Sequence, residues 1–235
     1  MGLFDFFKKK SSGEEKPIED GDKTVVQSDN TDDSAPGWEA IDAEFDRLYP
    51  DQPNPRHYGT LIKYMFGGPD PLDGISVYDA GEFWHFVGYG LSELYTKENS
   101  DPEYSGYGIE LTFKLKKSDN DEEEIKNGCG LLQYVARYIF KTGKVVLPEE
   151  YIYTKQTVGI DAHQKSKLTG FLTARDNLAK SLDTPHGKVE FVTLIGATDA
   201  ELRSVYESET SKLEVRKLLQ ELGNQITDYD RQSLV

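Results

Sequence analysis

The side chains best suited to chemistry in this chain are four histidines and one cysteine. The histidines are scattered, as His57, His85, His163 and His186. None belongs to a His-Glu-x-x-His sequence, the spacing that sets two imidazoles on one helix face for zinc. The single thiol of Cys129 can form neither a zinc knuckle nor a redox pair. These residues predict no metal site and no cofactor.

Familiar catalytic sequences are missing as well. The chain has no Gly-x-Ser-x-Gly elbow for a nucleophilic serine and no Walker sequence for nucleotides. The glycine spacings at residues 88–90 and 106–108 lie within predicted strands and open no helix, so they do not form phosphate loops. Asp70 and Asp73 are neighbours, but aspartates among prolines and glycines suit turns, where they bind their own backbone. The sequence therefore predicts a protein that is not an enzyme.

One enzymatic alternative stays open. A histidine and carboxylates that are distant in the sequence could meet in the fold and form an acid–base site. A pocket around His85 or His57 that contains a group with a perturbed pKa would indicate such an enzyme. Cys129 is not a good candidate for a catalytic nucleophile. It lies at the start of a predicted helix with no histidine nearby in the sequence, which is more typical of a buried structural thiol.

Composition narrows the class of partner. The formal net charge is −15 at pH 7, which disfavours binding to nucleic acid because that requires a cationic surface. An acidic surface suits a basic protein partner, although good solubility alone would also explain it. A single cysteine excludes an internal disulfide, and it favours a reducing, cytoplasmic location.

The N-terminal residues differ from the rest of the chain. Four large apolar residues precede three lysines, in the order Leu3, Phe4, Phe6, Phe7, Lys8, Lys9, Lys10. Aromatic residues beside lysines suit an anionic membrane surface, so a membrane-tethered adaptor that uses residues 3–10 is a third candidate function. We expect residues 1–36 to be a disordered segment with an acidic linker, and residues 37–235 to form one folded domain.

Hydrophobic periodicity predicts the elements that position these side chains. Apolar residues at helical spacing predict one helix that begins at Trp38 and ends before Pro50, and another that ends at Gly143. Strands are expected at residues 59–66, 75–78, 83–89, 107–115 and 189–195. Within strand 107–115, apolar and polar residues alternate, which predicts one buried face and one face in water.

The C-terminal part adds two short helices to this pattern. Thr198 with Glu201, and Ser211 with Glu214, have the spacing of capping boxes that begin a helix. An acidic loop is expected at residues 119–124. Strands mixed with a few helices, without strict βαβ alternation, predict an α+β fold with a mixed, largely antiparallel sheet and flanking helices.

Four elements in the first half of the predicted domain carry a resemblance. They are Tyr-Pro-Asp-Gln-Pro-Asn-Pro (49–55), Gly-Gly-Pro-Asp-Pro-Leu-Asp (67–73), Trp-His-Phe-Val (84–87) and Gly-Leu-Ser-Glu-Leu-Tyr (90–95). The chain resembles the N-terminal domain of the Suppressor of fused family, from about residue 37 to the end. The resemblance implies a Suppressor of fused-like α+β domain that binds a protein partner without catalysis.

The resemblance also implies where the partner binds. In animals the family grips a short segment of Gli-type transcription factors as a strand added beside the sheet, between two lobes. One contact tyrosine of the family maps to Tyr95, and one contact aspartate maps to the loop that follows, where Asp101 and Glu103 both fit. Trp84 and His85 complete the expected set of partner-binding residues. The alternative for Tyr95 is a packing role at the end of a strand.

The type of partner follows from the same resemblance. The chain stops where the second lobe would begin, so the resemblance implies a single domain without the two-lobed clamp. Single-domain members with acidic linkers are similar to bacterial ones, several of which are thought to be immunity proteins against polymorphic toxins. An acidic inhibitor would suit a toxin with a cationic cleft. We therefore expect a cytoplasmic domain that sequesters a protein, either a toxin or a regulator.

Overall fold

Within residues 34–235, a mixed sheet of eight strands forms the centre of the fold, with four helices around it. This confirms the predicted α+β class. The computed structural model describes residues 34–235. The expectations for residues 1–33, including the tethering segment at residues 3–10, therefore lie outside the described residues.

The elements alternate irregularly between strands and helices. The helices are α1 (Pro36–Leu48), α2 (Asp121–Thr142), α3 (Asp199–Glu207) and α4 (Ser211–Leu222). The strands are β1 (Arg56–Gly59), β2 (Gly74–Asp79), β3 (Phe83–Tyr89), β4 (Tyr104–Lys116), β5 (Tyr151–Ile152), β6 (Leu168–Arg175), β7 (Leu182–Thr184) and β8 (Gly187–Thr198). Their order in the sheet is β1-β2-β3-β4-β8-β6-β5, and β7 pairs with β8. Only the β4–β8 pair among these is parallel.

Helices cover both faces of the sheet. On one face, α2 packs against the apolar side chains of the central strands, such as Phe113 and Phe171. Neighbouring strand residues point to opposite faces, so Leu172 lies on the other side, in the cluster that α3 and α4 cover. On that second face, Phe45 of α1 packs against Tyr78 at the other end of the sheet. Two covered faces leave little room for a solvated strand face.

Several elements follow the predicted pattern. The helix before Pro50 and the strands at residues 75–78, 83–89 and 189–195 are present, with bounds that differ by a few residues. Gly143 ends α2 with a left-handed φ of 69°, as a glycine cap requires. Thr198 and Glu201 form the expected capping box at the start of α3.

The strand predicted at residues 59–66 is wrong. Only Gly59 belongs to a strand, β1, and the chain then turns through a short 3-10 segment, Tyr64–Phe66. Gly68 allows this turn, because a Cβ at this position would lie 1.9 Å from the carbonyl oxygen of Ile62. The apolar run that suggested a strand therefore points its side chains outward, and Leu61 is fully exposed.

The solvated face predicted for strand 107–115 is also wrong. Glu110, Thr112 and Lys114 alternate with the apolar residues as expected, but all three are buried, with at most 1% of their surface exposed. The polar groups on the second face of β4 find partners inside the protein: Glu110 binds the amides of residues 90–92, and Thr112 and Lys114 bind Asp176.

Two predictions about helix starts are wrong: that Cys129 begins a helix, and that Ser211 with Glu214 forms a capping box. Cys129 lies in the middle of α2, because that helix begins at Asp121 and takes in the end of the predicted acidic loop. Burial raises the pKa of the Cys129 thiol to about 12, which fits a structural cysteine. Ser211 is the first residue of α4, and the residue before the helix makes no side-chain cap, so the second capping box is absent.

Candidate functional site

Tyr95 is held at the surface by two charged neighbours. Its half-buried phenol donates a hydrogen bond to Oδ2 of Asp73 at 2.9 Å. The Lys63 ammonium donates to the same phenol oxygen at 2.5 Å and lies 4.1 Å from the centre of the ring. Lys63 and Asp73 also form an ion pair at 3.7 Å. Burial raises the pKa of Tyr95, and the hydrogen bond to the phenol raises the pKa of Lys63, so the ammonium and the neutral phenol are the stable forms.

Glu110 fixes the backbone that leads to Tyr95. Its Oε1 accepts hydrogen bonds from the amides of Gly90, Leu91 and Ser92 at 2.8 to 3.1 Å, and from the Ser92 hydroxyl at 2.7 Å. The side chain is fully buried, and its Oε2 has no hydrogen-bond partner. Burial raises the pKa of Glu110 to about 7, although the hydrogen bonds to Oε1 oppose the rise. This carboxyl sets the turn from which Tyr95 projects.

Glu93 likewise fixes the backbone, in the segment that follows Tyr95. Its carboxylate accepts from the amides of Glu98 at 2.5 Å, Asn99 at 2.6 Å and Gly106 at 3.1 Å. Burial acts to raise the pKa of Glu93, but these amide hydrogen bonds outweigh it and hold the pKa below its usual value. The carboxylate therefore stays charged and folds residues 96–104 back towards β4.

Asp101 and Glu103 both lie exposed on this loop, which follows directly after Tyr95. Oδ1 of Asp101 accepts from the amide of Glu103 at 2.8 Å, which shapes the tip of the loop. The carboxylate of Glu103 pairs with Lys188 at 3.2 Å, and its carbonyl accepts from the Lys188 amide. The fold thus brings all three predicted contact residues to one exposed segment, with no direct hydrogen bond between Tyr95 and either acid among the described contacts.

Sequence reasoning missed the exposed apolar side chains on either side of Lys63, the residue that contacts Tyr95. Leu61, Ile62 and Phe66 have 104%, 56% and 73% of their surface exposed. They flank Lys63 on the turn that replaces the predicted strand. The only available signal was the apolar run itself, which an exposed loop and a buried strand share. We call Leu61, Ile62, Lys63, Phe66, Asp73 and Tyr95 together the Tyr95 surface.

An edge strand adjoins the Tyr95 surface. β1 pairs with β2 on one side, and no other described strand pairs with it. The amide of Thr60, the residue after β1, donates to the carbonyl of Asp73 at 3.1 Å. Asp73 therefore connects the end of this edge strand to Tyr95.

Trp84 and His85 do not share this surface, and the expectation that His85 contacts a partner is wrong. His85 is completely buried. Its Nε2 donates to the carboxylate of Asp176 at 3.2 Å, and its Nδ1 accepts from Tyr49 at 2.7 Å, which is the arrangement of a neutral imidazole. Burial lowers the pKa of His85 and so favours that neutral form. Trp84 is 8% exposed and lies beneath the cations of Arg56 and Lys117.

The counter-charge of Asp176 is Lys114, not His85. The Lys114 ammonium lies 2.8 Å from the Asp176 carboxylate and also donates to the side chains of Asn177 and Gln225. Burial acts to raise the pKa of Asp176, but hydrogen bonding to His85 and the charge of Lys114 reverse this and hold it far below its usual value. Burial lowers the pKa of Lys114. The result is an internal network in which the Lys114 ammonium has three oxygen atoms within 3.0 Å.

His57 and His85 line neither of the two clefts described below. Two clefts in the described part, of about 560 and 370 Å³, contain no histidine among their lining residues. His57 contacts Ser76 and the ring of Trp38, and burial lowers its pKa. Within residues 34–235, no group of three or more His, Cys, Asp or Glu side chains is arranged to hold a metal ion.

Comparison with known proteins identifies the family of this chain. The sequence model of the family described as Suppressor of fused protein (SUFU) matches residues 68–232. The chain belongs to the Suppressor of fused family. The resemblance carried by the motifs of residues 49–95 is therefore confirmed. The matched region includes β2 to α4 and contains Tyr95, Glu110 and the loop between them.

Suppressor of fused relatives are similar to this chain over part of their length. The Suppressor of fused homologs of Homo sapiens and Mus musculus are each 33% identical over 185 residues, which is 73% of this chain but 37% of theirs. The chain thus corresponds to less than half of these proteins. Their full activities do not transfer with the match.

Solved structures agree on the fold. A chain of the Sufu–Fu complex crystal structure is 32% identical with a TM-score of 0.71, over 85% of this chain and 92% of that chain. Drosophila Suppressor of Fused is 30% identical with a TM-score of 0.75, over 88% of this chain and 53% of that chain. A putative homolog from Neisseria gonorrhoeae, with 13% identity and a TM-score of 0.53, covers 85% of this chain and 97% of its own, and shows the fold alone.

None of the comparisons tests the predicted cytoplasmic location. No helix within residues 34–235 is both long and apolar enough to cross a membrane.

Proposed function

We propose that this Suppressor of fused domain is a non-catalytic module that binds a protein partner at the Tyr95 surface. The observation that carries the proposal is the exposure of Leu61, Ile62 and Phe66, which flank Lys63 of a fixed Lys63–Tyr95–Asp73 cluster. Grouped apolar side chains on a surface are costly to leave in water and commonly mark a contact site. Polar groups that are already held in position supply orientation without a large entropic cost on binding.

The edge strand β1 supports an extended peptide as the form of the ligand. Its outer side has no described strand partner, and three of its four residues are exposed. A peptide that adds to such an edge gains main-chain hydrogen bonds, and neighbouring side chains select its sequence. Tyr95 and Asp73 lie at the end of β1, so they are positioned to contact a donor-rich side chain of the added strand.

Charge supports a basic partner. The net charge of the chain is −15, and the loop after Tyr95 exposes Glu98, Asp101 and Glu103. Complementary charge accelerates association and disfavours acidic competitors. The matched chain of the Sufu–Fu crystal structure supports protein binding by this fold. The specific form that we propose is sequestration of a basic toxin by an immunity protein, and regulation of another basic protein is the alternative partner class.

A capture experiment tests the proposal. Tagged wild-type protein and Tyr95→Ala are exposed to native lysate, and the retained proteins are identified by mass spectrometry. Tyr206→Ala is the matched control, because Tyr206 is an exposed tyrosine on α3, outside the Tyr95 surface. We expect a basic protein that wild type and Tyr206→Ala retain and Tyr95→Ala loses. Equal retention by all three would contradict the assignment of the site.

A further inference from the structure

The larger of the two clefts lies between α3 and the chain that follows β5. Its volume is about 560 Å³, and none of its lining residues belongs to the Tyr95 surface. Two tyrosines form part of its wall: Tyr153, directly after β5, and Tyr206, near the end of α3. Their ring centres lie 5.8 Å apart at an interplanar angle of 66°. Tyr206 is 54% exposed, so it leaves aromatic surface open to solvent at this cleft.

A cation of the chain itself lies against these two rings. The ammonium of Lys155 is 4.2 Å from the ring centre of Tyr206 and 6.0 Å from that of Tyr153. Both distances are within the range of a cation–π contact. Among the described contacts, this ammonium has neither an ion pair nor a hydrogen bond to the protein. The two rings are therefore its described protein partners, and this part of the cleft holds an ammonium by ring faces alone.

The backbone of Lys155 is unusual at this point. Its φ of 58° lies in the left-handed region, which a residue with a Cβ seldom adopts. The strained residue and the ring-bound ammonium thus belong to the same side chain. Strain of this kind persists where the surroundings impose it, and such positions often occur at ligand sites.

The remaining charges of the cleft favour a cation. Asp199 accepts from the phenol of Tyr153 at 2.7 Å and from the guanidinium of Arg203 at 2.6 Å. Glu207, the last residue of α3, also lines the cleft and has no ion pair among the described contacts. Without the Lys155 ammonium, two carboxylates of the lining face one guanidinium. A vacated cleft would therefore carry a net negative charge.

The kind of cation follows from what the rings offer. A primary ammonium has three N–H donors that need acceptors, and the rings supply none. A quaternary ammonium has no N–H group, and its methyl groups pack against ring faces, as in aromatic cages. We propose that this cleft binds a quaternary ammonium group, and that Lys155 is the internal cation which the ligand displaces. The cleft shares no residue with the Tyr95 surface, so this binding is independent of the function proposed there.

Titration of the full, isotope-labelled chain with choline chloride tests the binding. We expect saturable shifts of the amide signals of Lys155 and Tyr206, with sodium chloride at equal ionic strength as the blank. Dimethylbutanol, the neutral carbon isostere of choline, has the same shape without the charge and should produce much smaller shifts. Absence of saturable shifts with choline, or equal shifts with dimethylbutanol, overturns the proposal.

Variants at Lys155 test the displacement. Lys155→Ala removes the competing cation, so choline should bind about two- to fivefold more tightly, which corresponds to one exposed cation–π contact. Lys155→Gly should act alike, and it also suits the left-handed backbone. Lys144→Ala is the control, because it changes the net charge equally at an exposed lysine outside the cleft. No gain in affinity over Lys144→Ala in either variant overturns the role of Lys155.

Variants at the rings test the site itself. Tyr206→Ala should weaken choline binding by about two- to fivefold or more, because it removes the nearer ring. Tyr138→Ala is the matched control, since Tyr138 is an exposed tyrosine on α2, outside the cleft. Equal affinities of these two variants contradict binding at the rings.

Two probes distinguish the source of the ligand. Choline represents a free small molecule, and a short peptide with trimethyllysine represents a modified protein side chain. The tighter of the two names the source, and saturable binding of either supports the proposal. The same peptide with unmodified lysine should bind more weakly than its trimethylated form. Equal binding of the two peptides, with none of choline, overturns the choice of a quaternary group.

Discussion

The phenol oxygen of Tyr95 lies 2.9 Å from Oδ2 of Asp73, and the carbonyl of the same aspartate binds the amide of Thr60 just after the edge strand. One residue thus connects the tyrosine to the open side of the sheet. Tyr95 is neither a core residue nor a free surface side chain. It is half-buried and fixed by Asp73 and Lys63, and Lys63 lies among exposed apolar residues of the chain.

Glu110→Gln should change how stability depends on pH. The folded-state pKa of Glu110, about 7, lies above its ordinary value of 4.5. A raised pKa means that the stabilising contribution of the protonated carboxyl is complete below about pH 4.5 and is lost as the pH rises through about 7. Glutamine cannot ionise. We therefore expect the unfolding free energy of the variant relative to wild type to rise by up to about 3 kcal/mol over this range.

Urea denaturation at several pH values measures this difference. His57 and His85, whose pKa values are lowered by burial, titrate in both proteins and cancel in the comparison. Below pH 4.5 the variant should be less stable by about 1–3 kcal/mol, because its amide N–H group lies where Oε2 already lacks a partner. A difference that stays constant with pH would show that Glu110 is not the titrating group.

Asp176→Ala should destabilise the fold strongly. The substitution leaves the Lys114 ammonium buried without its counter-charge and deprives His85 of its acceptor. Breaking a buried pair in this way costs about 3–5 kcal/mol. Lys116→Ala is the control on the same strand, because the Lys116–Asp228 pair is exposed and should contribute less than about 1 kcal/mol. Similar losses in the two variants, measured by urea denaturation, would refute the buried network.

This network shows where sequence reasoning reached its limit. The alternation in β4 was predicted correctly, but the polar face was assigned to water because Glu110 and Lys114 are usually exposed residue types. Their partners come from distant parts of the chain: Asp176 follows β6, and the amides that bind Glu110 follow β3. Local periodicity carries no information about such pairing.

The sequence predicted only part of the candidate site, because local patterns again do not show how distant segments pack. Tyr95, Asp101 and Glu103 were found through motifs that resemble a family, and the fold places them on one exposed segment. The apolar residues of the loop were assigned to a strand, since a short apolar run is typical of both structures. His85 belongs to the Trp-His-Phe-Val motif of the same resemblance, but both faces of its strand are covered and the side chain is completely buried.

Cys129 should be unreactive in the folded protein. Its thiol is buried in α2, and the pKa of about 12 leaves almost no thiolate at neutral pH. We expect a thiol reagent such as dithionitrobenzoate to react at the rate of global unfolding. Ser11→Cys supplies a matched second thiol outside the described fold. Fast reaction of Cys129 in native buffer would show that α2 opens readily or that the thiol lies at the surface.

Phe66→Ser should leave stability almost unchanged. The side chain is 73% exposed, so its loss should alter the unfolding free energy by no more than about 0.5 kcal/mol. Leu72→Ala, a few residues later in the chain, removes a fully buried side chain and should cost about 2–5 kcal/mol. The same serine variant should weaken partner binding. A large loss of stability in Phe66→Ser would indicate that the loop packs as core.

The most direct test of the Tyr95 surface is the affinity of Tyr95→Phe for the captured partner, measured by titration calorimetry beside thermal unfolding. The variant keeps the ring and removes the phenol oxygen that binds Asp73 and Lys63. We predict binding weaker by about tenfold or more, since a hydrogen bond to a charged group contributes about 1.5–3 kcal/mol. Stability should fall by no more than about 1.5–3 kcal/mol, because the lost phenol hydrogen bonds are partly exposed and Lys63 and Asp73 can still pair. Unchanged affinity with a marked loss of stability would contradict the account and make Tyr95 a packing residue.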